Sequence, residues 1–394
     1  MSVVFILFTS AYTGFGQTKD LSLDDAIRIA IQNNKEINAY DLKVKESIAL
    51  RPSAFTIDKT LVYYGYDQNN VAENGFPLNV LGLEQNFNFP TLYVAQGHAN
   101  DVNISIAETE LIRQKQLLSK DVSQAFHEIQ YLLHRQQVFL KIDSLYRSFD
   151  NGMERRYQQG DISRLDLLNA KAKQQQINTT INELKYNLKS AYQKLQALIQ
   201  YDSVFEISLQ PMNLIPVKEF NPDSSPGIQL MKMRTNYQNA MLRVERNRML
   251  PDLSLSYFIG TNSYTGSKYY QGFQFGVSLP LFYGVQQAKI NANKISITIQ
   301  ENLLANDLTT LKAKQAVLSN ELIKYQESVD LYLKSGKLLS EEIIRTSQTS
   351  YKMGEIDFFQ FVLSIENALA LTISYYENVS KYNQVALEIN YLTK

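Results

Sequence analysis

Apolar residues recur every seven positions along two long stretches of this chain. Ile104, Leu111, Leu118, Ala125, Leu132, Phe139, Tyr146 and Met153 form one column; Ile290, Ile297, Leu304, Leu311, Leu318, Tyr325, Tyr332 and Leu339 form the other. A seven-residue period held that far predicts left-handed coiled-coil packing. Proline placement permits it, because all nine prolines lie outside 91–210 and 281–394. A helix from about 91 to 157 would run roughly 100 Å at 1.5 Å per residue. The pattern predicts an elongated molecule.

Each rod stops at a glycine and the chain then turns back. Tyr157-Gln-Gln-Gly160-Asp161-Ile162 ends the first, and Tyr351-Lys-Met-Gly354-Glu355-Ile356 ends the second, at an offset of 194 residues. Gly160 is expected as a left-handed helix stop, with Asp161 or Ser163 capping the returning helix. That helix carries Ile177, Ile181, Leu184, Leu188, Ala191, Leu195 and Leu198 at alternating spacings of four and three.

The period changes to two elsewhere. Leu81, Leu83, Phe87 and Phe89 alternate with Gly82, Glu84, Asn86 and Asn88 before Pro90; Phe273, Phe275, Val277 and Leu279 alternate with Gly272, Gln274, Gly276 and Ser278 before Pro280. Partner strands are expected near 55–66 and 252–261, with the links 67–79 and 262–269 as hairpin loops. Amphipathic helices are predicted before each hairpin, at 24–50 and about 227–248. The order helix, hairpin, long helix, shorter helix thus runs twice, as repeats at 18–210 and 227–394. The stretch 199–226 between the helical parts holds four of the nine prolines and reads as irregular, with 211–226 as the connector proper.

The N-terminus adds an address. Val3 to Phe8 is apolar and is followed by small and turn-prone residues to Gln17, so 1–17 reads as a secretory signal peptide, although no basic residue precedes the apolar core. No later run approaches the roughly 18 unbroken apolar residues of a membrane-spanning helix. An exported chain with membrane-length strands faces a physical problem. Four strands in lipid leave two edges of unpaired backbone groups, at several kcal/mol each, and closed single-chain barrels begin at about eight strands. The strands must be pooled with those of other copies. Tyrosine and phenylalanine gathered near the strand ends, among them Tyr64, Tyr66, Phe89, Tyr93, Tyr269 and Tyr283, fit interfacial girdles.

Composition removes most chemistry. Lys+Arg and Asp+Glu are 39 each, so no basic surplus exists for nucleic acid. The absence of cysteine excludes disulfides, thiolate metal sites, thiol catalysis and a lipidated cysteine. His127-Glu128 is followed by His134 seven residues on, two helical turns or about 10 Å away, too far for one zinc ion. No phosphate loop, dinucleotide glycine pattern or nucleophile elbow occurs. Neither catalytic residues nor a cofactor or metal site is expected.

The duplicated plan resembles the TolC-like outer-membrane efflux proteins over essentially the whole mature chain. The likeness rests on Leu21-Ser-Leu-Asp-Asp-Ala-Ile-Arg-Ile-Ala-Ile-Gln-Asn-Asn34, the two Tyr-x-x-Gly tips, and the joints at Pro90 and Pro280. The resemblance implies a mainly α fold with membrane β-structure and an internal two-fold repeat. It implies a homotrimer in which four strands per chain make a twelve-stranded β-barrel in outer-membrane lipid, continued across the periplasm by an α-helical coiled-coil barrel. It further implies an exit duct fed by an inner-membrane pump, of the resistance–nodulation–division type, through a periplasmic adaptor, with small toxic solutes or metal cations as cargo. Gly160, Asp161, Ile162, Gly354, Glu355 and Ile356 match the family's adaptor-docking tips. Asp166, six residues after the first tip glycine, matches a pore-entrance carboxylate, and Gln360 stands in its place in the second half. A structural or adhesive coiled-coil surface stalk would also use the rods and the export signal, but gives no reason for two hairpins at matching positions.

Overall fold

The computed structural model describes residues 19–393. The expected signal peptide at 1–17 lies outside them. In chain order the elements are β1 (Lys19–Asp20), α1 (Leu23–Asn33), α2 (Lys35–Leu50), β2 (Leu61–Val71), β3 (Pro77–Phe87), α3 (Pro90–Gln158), α4 (Arg164–Ile199), β4 (Phe205–Glu206), α5 (Pro226–Asn247), β5 (Asp252–Thr261), β6 (Tyr270–Ser278), α6 (Gly284–Leu331), a π-turn (Tyr332–Gly336), α7 (Lys337–Met353) and α8 (Phe358–Asn390). They group into two units. The sheet unit comprises Lys35–Leu117, Lys218–Leu318 and the last residues from Ile389; the helical unit comprises Leu118–Val217, Ser319–Glu388 and the N-terminal residues to Asn34.

In the sheet unit the two hairpins join in one antiparallel sheet, in the order β2-β3-β5-β6. Pro77 opens β3, a place where its missing N–H costs no ladder bond. The first hairpin departs from expectation. Arg51–Phe55 is a 3₁₀ turn, and β2 begins at Leu61 and runs on through the polar residues Asp67 to Asn70. The link shrinks to 72–76, because Asp67 pairs with Leu78 and Val71 with Pro77 on either side of a register shift that takes up Gln68, Asn69 and Asn70. The second hairpin lies where its alternation placed it, within a residue. Beside the sheet, Leu92 and Ala99 of α3 pack on Ala240 and Val244 of α5.

The helical unit is built on the heptad columns. Leu118, Ala125, Leu132, Tyr146 and Met153 are all buried. The expected helix at 24–50 is divided at Asn34, whose buried side chain donates to the Leu198 carbonyl at 3.2 Å. The second column also breaks. Leu339 is 53% exposed, whereas Ser340 is 2% exposed. The π-turn inserts one residue and moves the seam on by one, so Ser340, not Leu339, is the buried position after the half-buried Tyr332. There its hydroxyl donates to the Ala368 carbonyl at 2.7 Å.

The connector is less irregular than its prolines suggest. β4 pairs in parallel with β1. Gln130 donates to the Ser208 carbonyl (2.8 Å) and accepts from the Gln210 N–H (3.1 Å), while His134 holds Nε2 2.7 Å from the Gln210 carbonyl. Asn383 accepts from the Ile215 N–H and donates to the Asn213 carbonyl, both at 2.9 Å. By composition α8 alone among the described helices is long and apolar enough to cross a membrane. Its Phe361, Ile365, Ala368 and Leu369 are instead committed to the core of the helical unit.

Candidate functional site

The two chain reversals close in the same way. Gly160 has φ +80° and Gly354 φ +75°, in the left-handed region. Asp161 donates its N–H to the Arg156 carbonyl (2.8 Å) and Gly160 to Tyr157 (3.0 Å). At the other tip Glu355 donates to Ser350 (2.9 Å) and Gly354 to Tyr351 (3.2 Å). Each pair is a Schellman closure, which satisfies the last carbonyls of the outgoing helix. Among the described residues nothing lies within 4 Å of a Cβ built on either glycine, so only backbone handedness demands glycine there.

The returning helices start alike. The Ser163 hydroxyl accepts from the Asp166 N–H (3.1 Å), and Asp166 Oδ2 accepts from the Ser163 N–H (3.0 Å) and hydroxyl (2.7 Å). This is a capping box, with Asp166 also in the favourable field of the helix N-terminus. Asp357 and Gln360 occupy the same two places at the head of α8. Asp166 and Gln360 are therefore both capping residues, and the loss of charge in the second half preserves the cap.

The tips rest on a shared core. Met153, Leu167, Ala170, Phe358, Phe361 and Ile365 are buried together, with Ile162 and Ile356 partly buried against them. Gly160, Asp161, Gly354 and Glu355 are exposed. The six tip residues thus divide: four present a surface and the two isoleucines anchor it. Tyr351, which the sequence offered only as part of a repeated motif, is a further organiser. Its ring stacks on Phe361 at 5.0 Å, and its hydroxyl accepts from Arg156 at 3.1 Å. Lys173 of α4 and Glu366 of α8 form an ion pair a few turns from the tips, and burial pulls the Lys173 ammonium below the usual lysine range.

The sheet has two contrasting faces. One bears the row Val62, Leu83, Tyr257 and Phe273, in register across all four strands and exposed on every strand. The other bears the row Tyr63, Gly82, Phe258 and Gly272. Here a Cβ on Gly82 would lie 2.3 Å from the Tyr63 ring, and one on Gly272 2.4 Å from the Phe258 ring. The aromatic rings lie over the glycines, which keeps this face low. Neighbouring rows on the same face carry Glu84, Ser256 and Gln274. β2 and β6 form the sheet's edges.

No family model matches the chain, and no curated protein matches it in sequence. Solved structures match its fold. A membrane protein from Pseudomonas aeruginosa is 15% identical, with a TM-score of 0.78 over 95% of this chain and 92% of that one. CusC, described for its transmembrane channel formation, is 16% identical, with a TM-score of 0.78 over 97% of this chain and 95% of that one. The Campylobacter jejuni outer membrane channel CmeC is 14% identical, with a TM-score of 0.72 over 100% of this chain and 93% of that one. At such identities the likeness is one of fold, and it covers nearly the whole chain.

Proposed function

We propose that this chain, which has the fold of the TolC-like outer-membrane channels, is the exit duct of a tripartite efflux system and not an enzyme. The observation that carries the reading is the four-stranded sheet with a continuous exposed apolar face and two edge strands. Such a sheet cannot stand in lipid alone, because each open edge leaves backbone groups unsatisfied. Three copies joined β6 to β2 give a closed barrel of twelve strands, with the Val62–Leu83–Tyr257–Phe273 face outside and the face that carries Tyr63 and Phe258 over glycines, with Glu84, Ser256 and Gln274, inside. The chain then sits in the outer membrane, and the helices form an α-barrel reaching into the periplasm.

The 194-residue offset supports an internal duplication, since it relates the tip glycines and also both capping pairs. The tips are the docking surface for a periplasmic adaptor. Asp161 and Glu355 supply its charge, Gly160 and Gly354 the left-handed turns that present it, and Ile162 and Ile356 its rigidity. The adaptor links the duct to an inner-membrane pump of the resistance–nodulation–division type, which delivers small toxic solutes or metal cations. Asp166 and Gln360 mark the entrance.

Native mass measurement in detergent tests the assembly, with three copies expected and a stable monomer opposed to it. In cells, Asp161→Lys with Glu355→Lys is expected to retain trimers and abolish export. Full resistance with intact trimers would remove the tips from the docking surface.

A further inference from the structure

The links of the two hairpins, 72–76 and 262–269, are bonded to each other at one end of the sheet. Asn74 donates to the Asn262 side-chain oxygen (3.0 Å) and to the Thr265 carbonyl (3.3 Å). Asn262 donates back to the Asn74 side-chain oxygen (3.1 Å) and to the Phe76 carbonyl (3.3 Å). A main-chain donor sets the orientation of each amide: the Phe76 N–H donates to the Asn74 oxygen and the Tyr264 N–H to the Asn262 oxygen. Asn262 is buried. Beside it the Phe76 and Tyr264 rings stack, with centroids 3.9 Å apart and planes inclined by 9°. The Lys268–Glu73 ion pair also crosses between the links, but both side chains are exposed and it adds little.

The pairing of β3 with β5 needs such a joint. The two strands belong to different hairpins, so no turn sets their register. The two contrasting faces forbid a slip of one residue, which would exchange them. They do not forbid a slip of two. Leu83 lies opposite Tyr257, and Leu255 and Ile259 to either side are apolar and on the same face. On the other face Gly82 and Gly260 give the pair little side chain to interlock. A slip of two would carry one link about 7 Å past the other, at roughly 3.4 Å per residue, and break every bond between them. We propose that Asn74 and Asn262, with Phe76 and Tyr264, are a latch that selects the register of β3 on β5 and so fixes the shear of the sheet. Shear sets the width of a closed barrel. That consequence rests on the duct reading; the latch itself is a property of one chain.

Paired cysteines can read the register, because the chain has no cysteine of its own. Leu83→Cys with Tyr257→Cys reports the native pairing. Leu83→Cys with Leu255→Cys, or with Ile259→Cys, reports a slip of two in either direction, since diagonal neighbours lie beyond disulfide reach in the native register. The full chain is refolded into detergent and oxidised, and bridges within one chain are scored on gels. With the links intact, the native reporter is expected to close and the slipped reporters to stay open. Asn74→Ala with Asn262→Ala is expected to raise the slipped reporters at least about fivefold, the effect of one lost hydrogen bond. Asn262→Asp keeps the acceptor for the Tyr264 N–H and loses both donated bonds, so it provides a milder variant with the same expected direction. Amide exchange supplies the second reading: Asn262→Asp is expected to speed exchange at Phe76, in the other link, by about fivefold. Slipped reporters that stay at the level of the intact links in both variants, or exchange at Phe76 left unchanged, would overturn the latch. Neither reading involves conductance, so a failed latch and a failed duct are told apart.

Discussion

Asp357 and Gln360 cap each other across the first turn of α8. The Gln360 N–H donates to the Asp357 carboxylate at 2.7 Å, and the Gln360 side-chain oxygen accepts from the Asp357 N–H at 3.2 Å. Ser163 and Asp166 make the same exchange at the head of α4. The chemistry of the pair differs between the halves, but its geometry does not.

The caps are expected to hold the tips in shape. Ser163→Ala and Asp357→Ala should each cost about 1 kcal/mol of local stability, typical for a lost N-cap. That corresponds to a roughly fivefold rise in amide exchange over the first turn of α4 or α8, read by hydrogen exchange with mass spectrometry. Exchange unchanged in both variants would show that the tips do not depend on their caps.

The π-turn yields a paired prediction. Leu339→Ser is expected to stay within about 0.5 kcal/mol, as exposed substitutions do. Ser340→Leu should cost about 1–3 kcal/mol through overpacking, besides the lost bond to Ala368. Denaturation midpoints in the same detergent compare them. The reverse order would place the seam where the unbroken heptad put it.

Tyr63 and Gly82 give a third test. Gly82→Val should block assembly, since its side chain would enter the Tyr63 ring. Gly82→Val with Tyr63→Ala should recover part of what the single variant loses, because contacting residues are not additive. The fraction migrating as heat-labile oligomer on gels measures both. A double variant worse than Gly82→Val alone would contradict the arrangement.

Asp166 tests the entrance. Three-fold symmetry would confine three carboxylates in one ring, which attracts cations. Asp166→Asn is then expected to reduce cation preference, read as reversal potential across a salt gradient. Because asparagine can still accept the Ser163 N–H, the helix start should survive. Equal potentials with intact trimers would keep Asp166 out of the pore.

How far the sequence disclosed these features depends on the kind of signal each leaves. Proline-free length and a seven-residue period delimit α3 to within a residue, because both act over dozens of positions. The tip glycines were legible, since a left-handed stop leaves few alternatives to glycine. β2 was misplaced because Asp67, Gln68, Asn69 and Asn70 look like a loop; they form an irregular stretch of the strand between the paired residues Asp67 and Val71, and a bulge leaves no clear mark in a sequence. Leu339 misled because a one-residue insertion in a helix leaves no mark in composition. Ser163 was legible as an N-cap, and both Ser163–Asp166 and Asp357–Gln360 have the three-residue spacing of a capping box, but spacing alone does not show that the second member bonds back to the cap. The break at Asn34 and the short pairing of β1 with β4 rest on contacts across more than 150 residues, which no local pattern carries.

Single-channel conductance in a planar bilayer tests the central claim most directly. Purified trimers added from one side are expected to insert and give discrete, uniform current steps in salt solution, with none from protein heated to separate the copies. A membrane that stays silent while the trimers demonstrably insert would contradict a duct and leave a solid stalk.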